Sequence, residues 1–386
     1  MFRRTRLTHN GYRRRKKVNY TFEVICIILC VLMICCAYSG QLDPRSFLPA
    51  PFMTLAFMPL LMLILLLLGI ALLWRRWLAI PVIVASLIAS LPVIKLFSPM
   101  NTSENALPVP ADTSLILKVM TYNVLAFNYH ENQLINEPSQ SMRLILDTNP
   151  DVVVLQEATA SGVDWKDIPS LKPYLEEIDA KFPYIYHGNE GLSMMSKFPF
   201  TTMPLCEPQY TKSPLGFIRD RTSYLARAFD LQLPWGKQLR IVDFRFQSYH
   251  LSFGRGMNVR ISPESKPSPL ERMRRSFALR CENAEAVRKA IDGYPENLIV
   301  CGDLNDVPSS HVYRVLRGHD LHDAWGDSGR GYAYTYNRHG LRYRIDQMFY
   351  RGDIRALHAD RLVGGASDHY PLLVSFDIDN TSKKSK

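Results

Sequence analysis

Three apolar runs in the first quarter of the chain constrain its fold more than any other feature. Phe22 to Tyr38 follows a basic head, Phe52 to Trp74 is almost uninterrupted hydrocarbon, and Trp77 to Phe97 is a third run. Each reaches or approaches the ~20 residues a helix needs to cross ~30 Å of hydrocarbon. Residues 1–98 therefore read as a membrane region with three spans at about 22–38, 52–74 and 77–97. Glu23 at the edge of the first run, and Pro81 and Pro92 in the third, leave a buried globular helix as the competing reading for those two.

Charge sets the expected orientation. Arg3, Arg4, Arg6, Arg13, Arg14, Arg15, Lys16 and Lys17 precede the first run, and Arg75 with Arg76 fill the turn between the second and third. The loop from Gln41 to Pro51 holds only Asp43 and Arg45. Basic loops stay on the cytoplasmic side. The N-terminus and the 75–76 turn are therefore expected in the cytoplasm of a cell (inner) membrane, and everything after about residue 98 outside it. A cleaved signal peptide is the alternative for the first run, because small residues near Ala37 and Ser39 follow its apolar core; it leaves the same side exposed.

Residues 1–98 contain 12 Lys/Arg and 2 Asp/Glu, which accounts for the whole net charge of +10; the remaining 34 basic and 34 acidic residues cancel. A general nucleic-acid binder carries basic excess on the domain that meets the phosphates. Nucleic acid is thus an alternative substrate, and not the favoured one. Basic clusters at Arg272, Arg274 and Arg275 and at Arg338, Arg342 and Arg344 are the candidates for local phosphate patches. Cys26, Cys30, Cys35 and Cys36 lie in the first run, and Cys206, Cys281 and Cys301 lack the spacing of a disulfide framework or a zinc site.

Residues 99–114 are polar and proline-bearing, and read as a tether; 379–386 form a polar tail. Between them, strands are expected near 115–122, 151–156, 184–187, 192–196, 223–232, 239–246, 297–301, 345–350 and 371–377. Helices are expected near 137–147, 171–180, 269–292 and 309–317. This pattern suits two sheets packed face to face with helices outside. Residues 252–268 have Gly and Pro at both ends and no apolar periodicity, and read as a surface loop.

The strand ends carry the chemistry. Val300-Cys301-Gly302-Asp303-Leu304-Asn305-Asp306 runs an apolar strand into a carboxylate and a carboxamide, which strand period puts on one face. Met120-Thr121-Tyr122-Asn123 ends one apolar strand, and Asp151 to Gln156 closes on Glu157. Arg344-Ile345-Asp346 opens another, and Ser367-Asp368-His369 precedes the last. Polar tips on apolar strands are the layout of a site built at one rim of a sheet.

These five elements, in this order over roughly residues 115–378, resemble the endonuclease/exonuclease/phosphatase superfamily of DNase I-like enzymes. The resemblance implies a four-layer α/β sandwich behind the three spans, and a metal-dependent phosphodiesterase or phosphatase acting on a phosphoester substrate. It implies Glu157 as principal ligand of Mg²⁺ or Mn²⁺, helped by Asn123 and Asp368, with Asp303 holding or deprotonating water and Asn305 on a phosphate oxygen. His369, oriented by Asp346, is the implied phosphate contact. The chain departs from the family at one place. Where members carry Asn-x-His on a central strand, Leu239 to Phe246 puts Asp243 and Arg245, with Val242, Phe244 and Phe246 on the opposite face. Arg245 is the expected phosphate contact and His250 its rival; arginine neutralises phosphate but donates no proton at neutral pH. An extracellular nuclease and a catalytically impaired phosphate-binding module are the competing readings. No protein partner is expected.

Overall fold

The computed structural model describes residues 20–101, 116–128, 137–158, 164–188, 191–206, 226–234, 236–248, 268–294, 297–338 and 340–378. His250, the 252–267 stretch, most of the 99–114 tether and the tail lie outside the described residues.

The three apolar runs are helices α1 (Thr21–Tyr38), α2 (Pro49–Leu73) and α3 (Ala79–Phe97). Their mean hydropathies of 2.5, 2.9 and 2.2 make all three candidate membrane spans. Pro81 falls in the first turn of α3, where a missing N–H leaves no hydrogen bond broken, and α3 continues through Pro92. Glu23 does not sit alone at the membrane edge: Arg76 from the α2–α3 turn lies 3.4 Å from its carboxylate.

The rest of the described chain forms two mixed six-stranded sheets. The first comprises β1 (Ile116–Asn123), β2 (Val152–Gln156), β3 (Tyr184–His187), β4 (Ser193–Ser196), β13 (Arg355–Arg361) and β14 (Leu372–Asp377), in the order β13-β14-β1-β2-β4-β3. The second comprises β5 (Phe200–Cys206), β6 (Ala226–Gln232), β7 (Gln238–Arg245), β8 (Asn297–Asp303), β9 (His322–Asp323) and β12 (Asp346–Arg351), in the order β5-β6-β7-β8-β12-β9. A hairpin, β10 (Tyr336–Arg338) and β11 (Leu341–Tyr343), stands apart. At the centre of each sheet is a parallel pair, β1 with β2 and β7 with β8.

Strand alternation builds the layers. Leu239 and Ile241 of β7 join Val119, Val154, Ile299 and Met348 in the core between the sheets. Val242 and Phe244 point the other way, against Cys281, Ala284 and Val287 of α6 (Pro269–Ile291) and Leu316 of α7 (His311–Arg317). On the far side, α4 (Gln140–Thr148) and α5 (Leu175–Lys181) cover Met120, Tyr122, Val153 and Leu155. A short α8 (Ala324–Ser328) completes the helices described. The result is the expected four-layer α/β sandwich. Gly302 allows β8 to lie against β7: its φ is +147°, and a Cβ there would sit 1.9 Å from the Phe244 carbonyl oxygen.

The sandwich rests on the ends of the helices. The Arg344 guanidinium donates to the Leu96 carbonyl oxygen at the end of α3 (2.6 Å) and grips Asp323 (3.1 Å). Arg45, in the loop between α1 and α2, reaches Glu285 of α6. Gly40 lies so close to Ser309 that a Cβ would come within 1.8 Å of its carbonyl oxygen. At the start of the stretch read as a tether, Pro99 accepts from Gly331 N–H and Asn101 donates to Gly326 and Gly329.

Candidate active site

The parallel strands β1, β2, β7 and β8 end at one rim, with Asn123, Glu157, Arg245 and Asp303 at or just past their C-termini. Asp346 begins β12 directly opposite Asp303, and Arg245 is Asp303's partner on the other side. His369 arrives on the loop before β14. Apart from the rival candidate His250, the eight predicted site residues lie among the described residues, and contacts link seven of them.

Asn123 is buried and donates to Glu157 Oε1 (3.0 Å) and to Asp303 Oδ2 (3.1 Å), tying the two sheets together. The same Glu157 oxygen meets the Arg245 guanidinium at 2.7 Å. Burial works to raise the Glu157 pKa, but the Arg245 charge and the Asn123 amide outweigh it and hold the carboxyl below its ordinary value. Asp303 is pushed up to about 7, chiefly by burial and further by Asp346, against the opposing pull of His369, Arg245 and the Asn305 N–H.

His369 Nδ1 lies 2.8 Å from Asp346 Oδ2. Burial disfavours the imidazolium, but the Asp346 carboxylate, by charge and hydrogen bond, overrides it, and Asp303 and Asp368 add to the effect; the His369 pKa rises to about 10. A pKa raised on folding contributes stability that is fully present below the unfolded value, near 6.5. That contribution is lost as pH rises through about 10. Asp346→Asn is therefore expected to return the His369 titration toward the ordinary histidine range and to remove the loss of stability between those pH values. NMR of the imidazole carbons checks the first part and melting temperature against pH the second. An unmoved titration would show that Asp346 does not set the charge.

Asn305, Asp368 and Asp243 each take a partner within the protein. Asn305 is not on the strand face that period two assigns it, because β8 ends at Asp303 and Asn305 turns with φ +52°. Its Nδ2 donates to Asp303 Oδ2 (2.9 Å) and Phe246 O (3.0 Å), so it braces the carboxylate. Asp368 pairs with Arg338 at 3.2 Å. Asp243 is fully buried between the sheets and accepts from Gln156 (2.7 Å). Of the second basic cluster, Arg344 is committed to Asp323 and Leu96, and Arg342 lies over the Tyr334 ring at 5.3 Å. The first cluster, Arg272, Arg274 and Arg275, is exposed on α6.

Sequence reasoning missed two supports. Thr335 Oγ1 accepts from the N–H groups of both Ile345 and Asp346 (3.0 Å each), and Ser367 Oγ donates to the Asn123 carbonyl (2.7 Å) while accepting from His369 N–H. Thr335 stands between two tyrosines, and nothing in the sequence marked Ser367 beyond its place before Asp368.

The donor set suits a hard divalent cation. The carboxylates of Asp303 and Asp346 lie within 4.8 Å of each other beside the His369 ring, and the Glu157 carboxylate joins Asp303 through the Asn123 amide. Asp346 Oδ1 is buried without a hydrogen-bond partner, an acceptor left open at the site. Oxygen-rich surroundings of this kind fit Mg²⁺ or Mn²⁺.

A two-sheet α/β sandwich with carboxylates, an asparagine and an aspartate-bound histidine at one rim defines the class of phosphoester hydrolases. The chain belongs to the Endonuclease/Exonuclease/phosphatase family, whose model matches residues 120–369. A domain of unknown function, DUF8431, matches residues 19–96. No curated protein matches the chain. Solved structures similar to it include humanized Danio rerio TDP2 (16% identity, TM-score 0.44), covering 68% of this chain and 99% of that one. The human Nocturnin catalytic domain with bound sulfate shares 18% identity at TM-score 0.41, with 68% and 94% covered. An endonuclease/exonuclease/phosphatase from Beutenbergia cavernae shares 17% at 0.44, with 68% and 72% covered. Likeness at this level carries no information about substrate.

Proposed function

We propose that the chain is a membrane-anchored, extracytoplasmic, divalent-cation-dependent phosphoester hydrolase, with residues 1–98 as anchor and 115–378 as catalytic domain. The observation that carries this reading is the joined set Asn123, Glu157, Asp303, Asp346 and His369, in which an aspartate with its pKa near 7 stands beside a charged histidine. Carboxylates poised near neutrality are the groups able to take a proton from water at working pH. The orientation rests on the basic residues at the N-terminus and at Arg75 and Arg76.

Glu157 would hold Mg²⁺ or Mn²⁺ with Asn123, beside the Asp303 and Asp346 carboxylates, and Asp368, engaged by Arg338, would contribute through water. When bound, such an ion polarises a phosphoryl oxygen and stabilises the leaving oxygen. Asp303, braced by Asn305, accepts the proton of the attacking water. His369, kept protonated by Asp346, donates to a non-bridging oxygen. Arg245 neutralises phosphate charge while bound to Glu157.

The test is turnover by the full-length protein in detergent of p-nitrophenyl phosphate, bis-p-nitrophenyl phosphate and plasmid DNA. Cleavage of the nitrophenyl esters with little nicking of plasmid is expected, and efficient nicking would favour the nuclease reading. An alkaline phosphatase fusion after Lys386 should be active only if that end leaves the cytoplasm; an inactive, folded fusion would reverse the orientation.

A further inference from the structure

The loop that carries the candidate catalytic aspartate also reaches into the bundle of apolar helices. Val307 is fully buried in the same apolar cluster as Cys36, Phe57 and Phe97 of the spans. It is four residues past Asp303, so their Cα atoms are at most about 14 Å apart by chain length alone. On the opposite strand, Asp346 is two residues from Arg344, which hydrogen-bonds the last turn of α3. Tyr332 and Tyr343 pack on the same helical cluster. The catalytic rim thus lies at the level where the spans leave the membrane.

Next to this junction is an apolar groove of about 700 Å³ between the domain-proximal halves of α1 and α2. Leu32 and Cys36 line one side, Phe52, Met53 and Ala56 the other. Leu270, from the first turn of α6, belongs to its wall. A residue of the catalytic domain therefore closes a groove that otherwise belongs to the membrane. The α6 start lies at the catalytic end of the sandwich, because α6 connects the C-terminus of β7 to the N-terminus of the parallel strand β8. Phe277 of α6 meets Phe52 of α2 edge-on, with ring centroids 5.3 Å apart. Arg272, Arg274 and Arg275, two to five residues beyond Leu270, are exposed and of the sign that attracts anionic headgroups.

We infer that the substrate is a membrane amphiphile, a phosphoester whose acyl chain lies in the α1–α2 groove while its phosphate reaches the rim at Asp303 and His369. The inference rests on the phosphoesterase reading above and narrows its substrate class. In the reaction, water adds its oxygen to phosphorus, the P–O bond to the leaving alcohol breaks, and the water's protons end on the leaving oxygen and the released acid. A chain already in a micelle gains little hydrophobic free energy from the groove; what the groove supplies is position, and misplacing a bound phosphate by about 1 Å can cost on the order of 100-fold in rate.

The test compares two p-nitrophenyl phosphodiesters in mixed dodecyl maltoside micelles with Mg²⁺: one esterified to dioleoylglycerol, the other to ethanol. The full-length protein is expected to favour the acylated ester in kcat/KM by more than tenfold. Ala56→Trp, which fills the groove from an exposed position, should lower that ratio about tenfold by displacing the chain, as should Leu270→Asn, which leaves the spans untouched. Equal rates on both esters, with neither variant moving the ratio, would overturn the groove assignment and leave the phosphoesterase intact. No turnover of either ester by folded protein would overturn both.

Discussion

Asp303→Asn is expected to lower kcat on a phosphodiester by about 10²–10⁴-fold, the range general-base contributions span. The carboxamide keeps the size of the group but accepts at one oxygen only, so it loses either the Asn305 N–H at Oδ1 or the Asn123 and Asn305 amides at Oδ2; secondary structure should be kept and the melting temperature fall by a few degrees. The pH profile supplies a second check. With Asp303 titrating at about 7, the rate should rise with pH through that value and fall again as His369 loses its proton near 10. The asparagine variant should lack the rising limb. A kcat within threefold of wild type, or a rising limb unmoved by the substitution, would remove Asp303 from the chemistry.

The largest effect on stability is expected at a residue that touches no substrate. Arg344 has no exposed side-chain surface, and its guanidinium joins Asp323, Gln347 and the Leu96 carbonyl. Arg344→Met leaves the Asp323 carboxylate buried without its cation, and breaking a buried pair in this way costs about 3–5 kcal/mol. For a domain of this size that corresponds to a fall in melting temperature on the order of 10 °C. Arg344→Lys should not rescue it, because an ammonium cannot span three acceptors with the fixed fork of a guanidinium. Thermal unfolding in detergent reads the effect, and a shift under 2 °C for the methionine variant would show that the contact between sandwich and α3 is not a stabilising one.

The site was legible in the sequence wherever a polar residue ended an apolar strand. Asn123, Glu157, Asp303 and Asp346 follow or open runs such as Val152 to Leu155, whose burial leaves the rim as the place where a charge is tolerated. Arg245 came from its place on the strand Leu239 to Phe246, and the register of β7 and β8 pairs it with Asp303. Asn305 escaped that pattern because strand periodicity holds only while the strand lasts, and the chain turns left-handed there. The edge strand β13 was missed since Arg355-Ala356-Leu357-His358-Ala359-Asp360-Arg361 has no apolar run to announce it. Edge strand β5 carries Pro204, which argues against a central strand and permits an edge one. Strands β9, β10 and β11 are two or three residues long, below what a period of two can signal.

The junction between spans and sandwich was not legible at all. Arg344 read as part of a basic cluster, because a charged side chain gives no sign of which partner it has. Its contact with Leu96 spans 248 positions of sequence, a separation at which local pattern carries no information. Gly40 and Ser309 meet in the same way, and neither stands in a motif.

One measurement bears most directly on the central claim: turnover of bis-p-nitrophenyl phosphate by the full-length protein, with Mg²⁺, with Mn²⁺ and with EDTA, beside Glu157→Ala. The account predicts turnover that requires the cation, stops in EDTA and falls about 10²-fold or more in the variant. Turnover indifferent to EDTA and to the substitution, or a folded protein that neither binds Mg²⁺ or Mn²⁺ nor cleaves the ester, would contradict it.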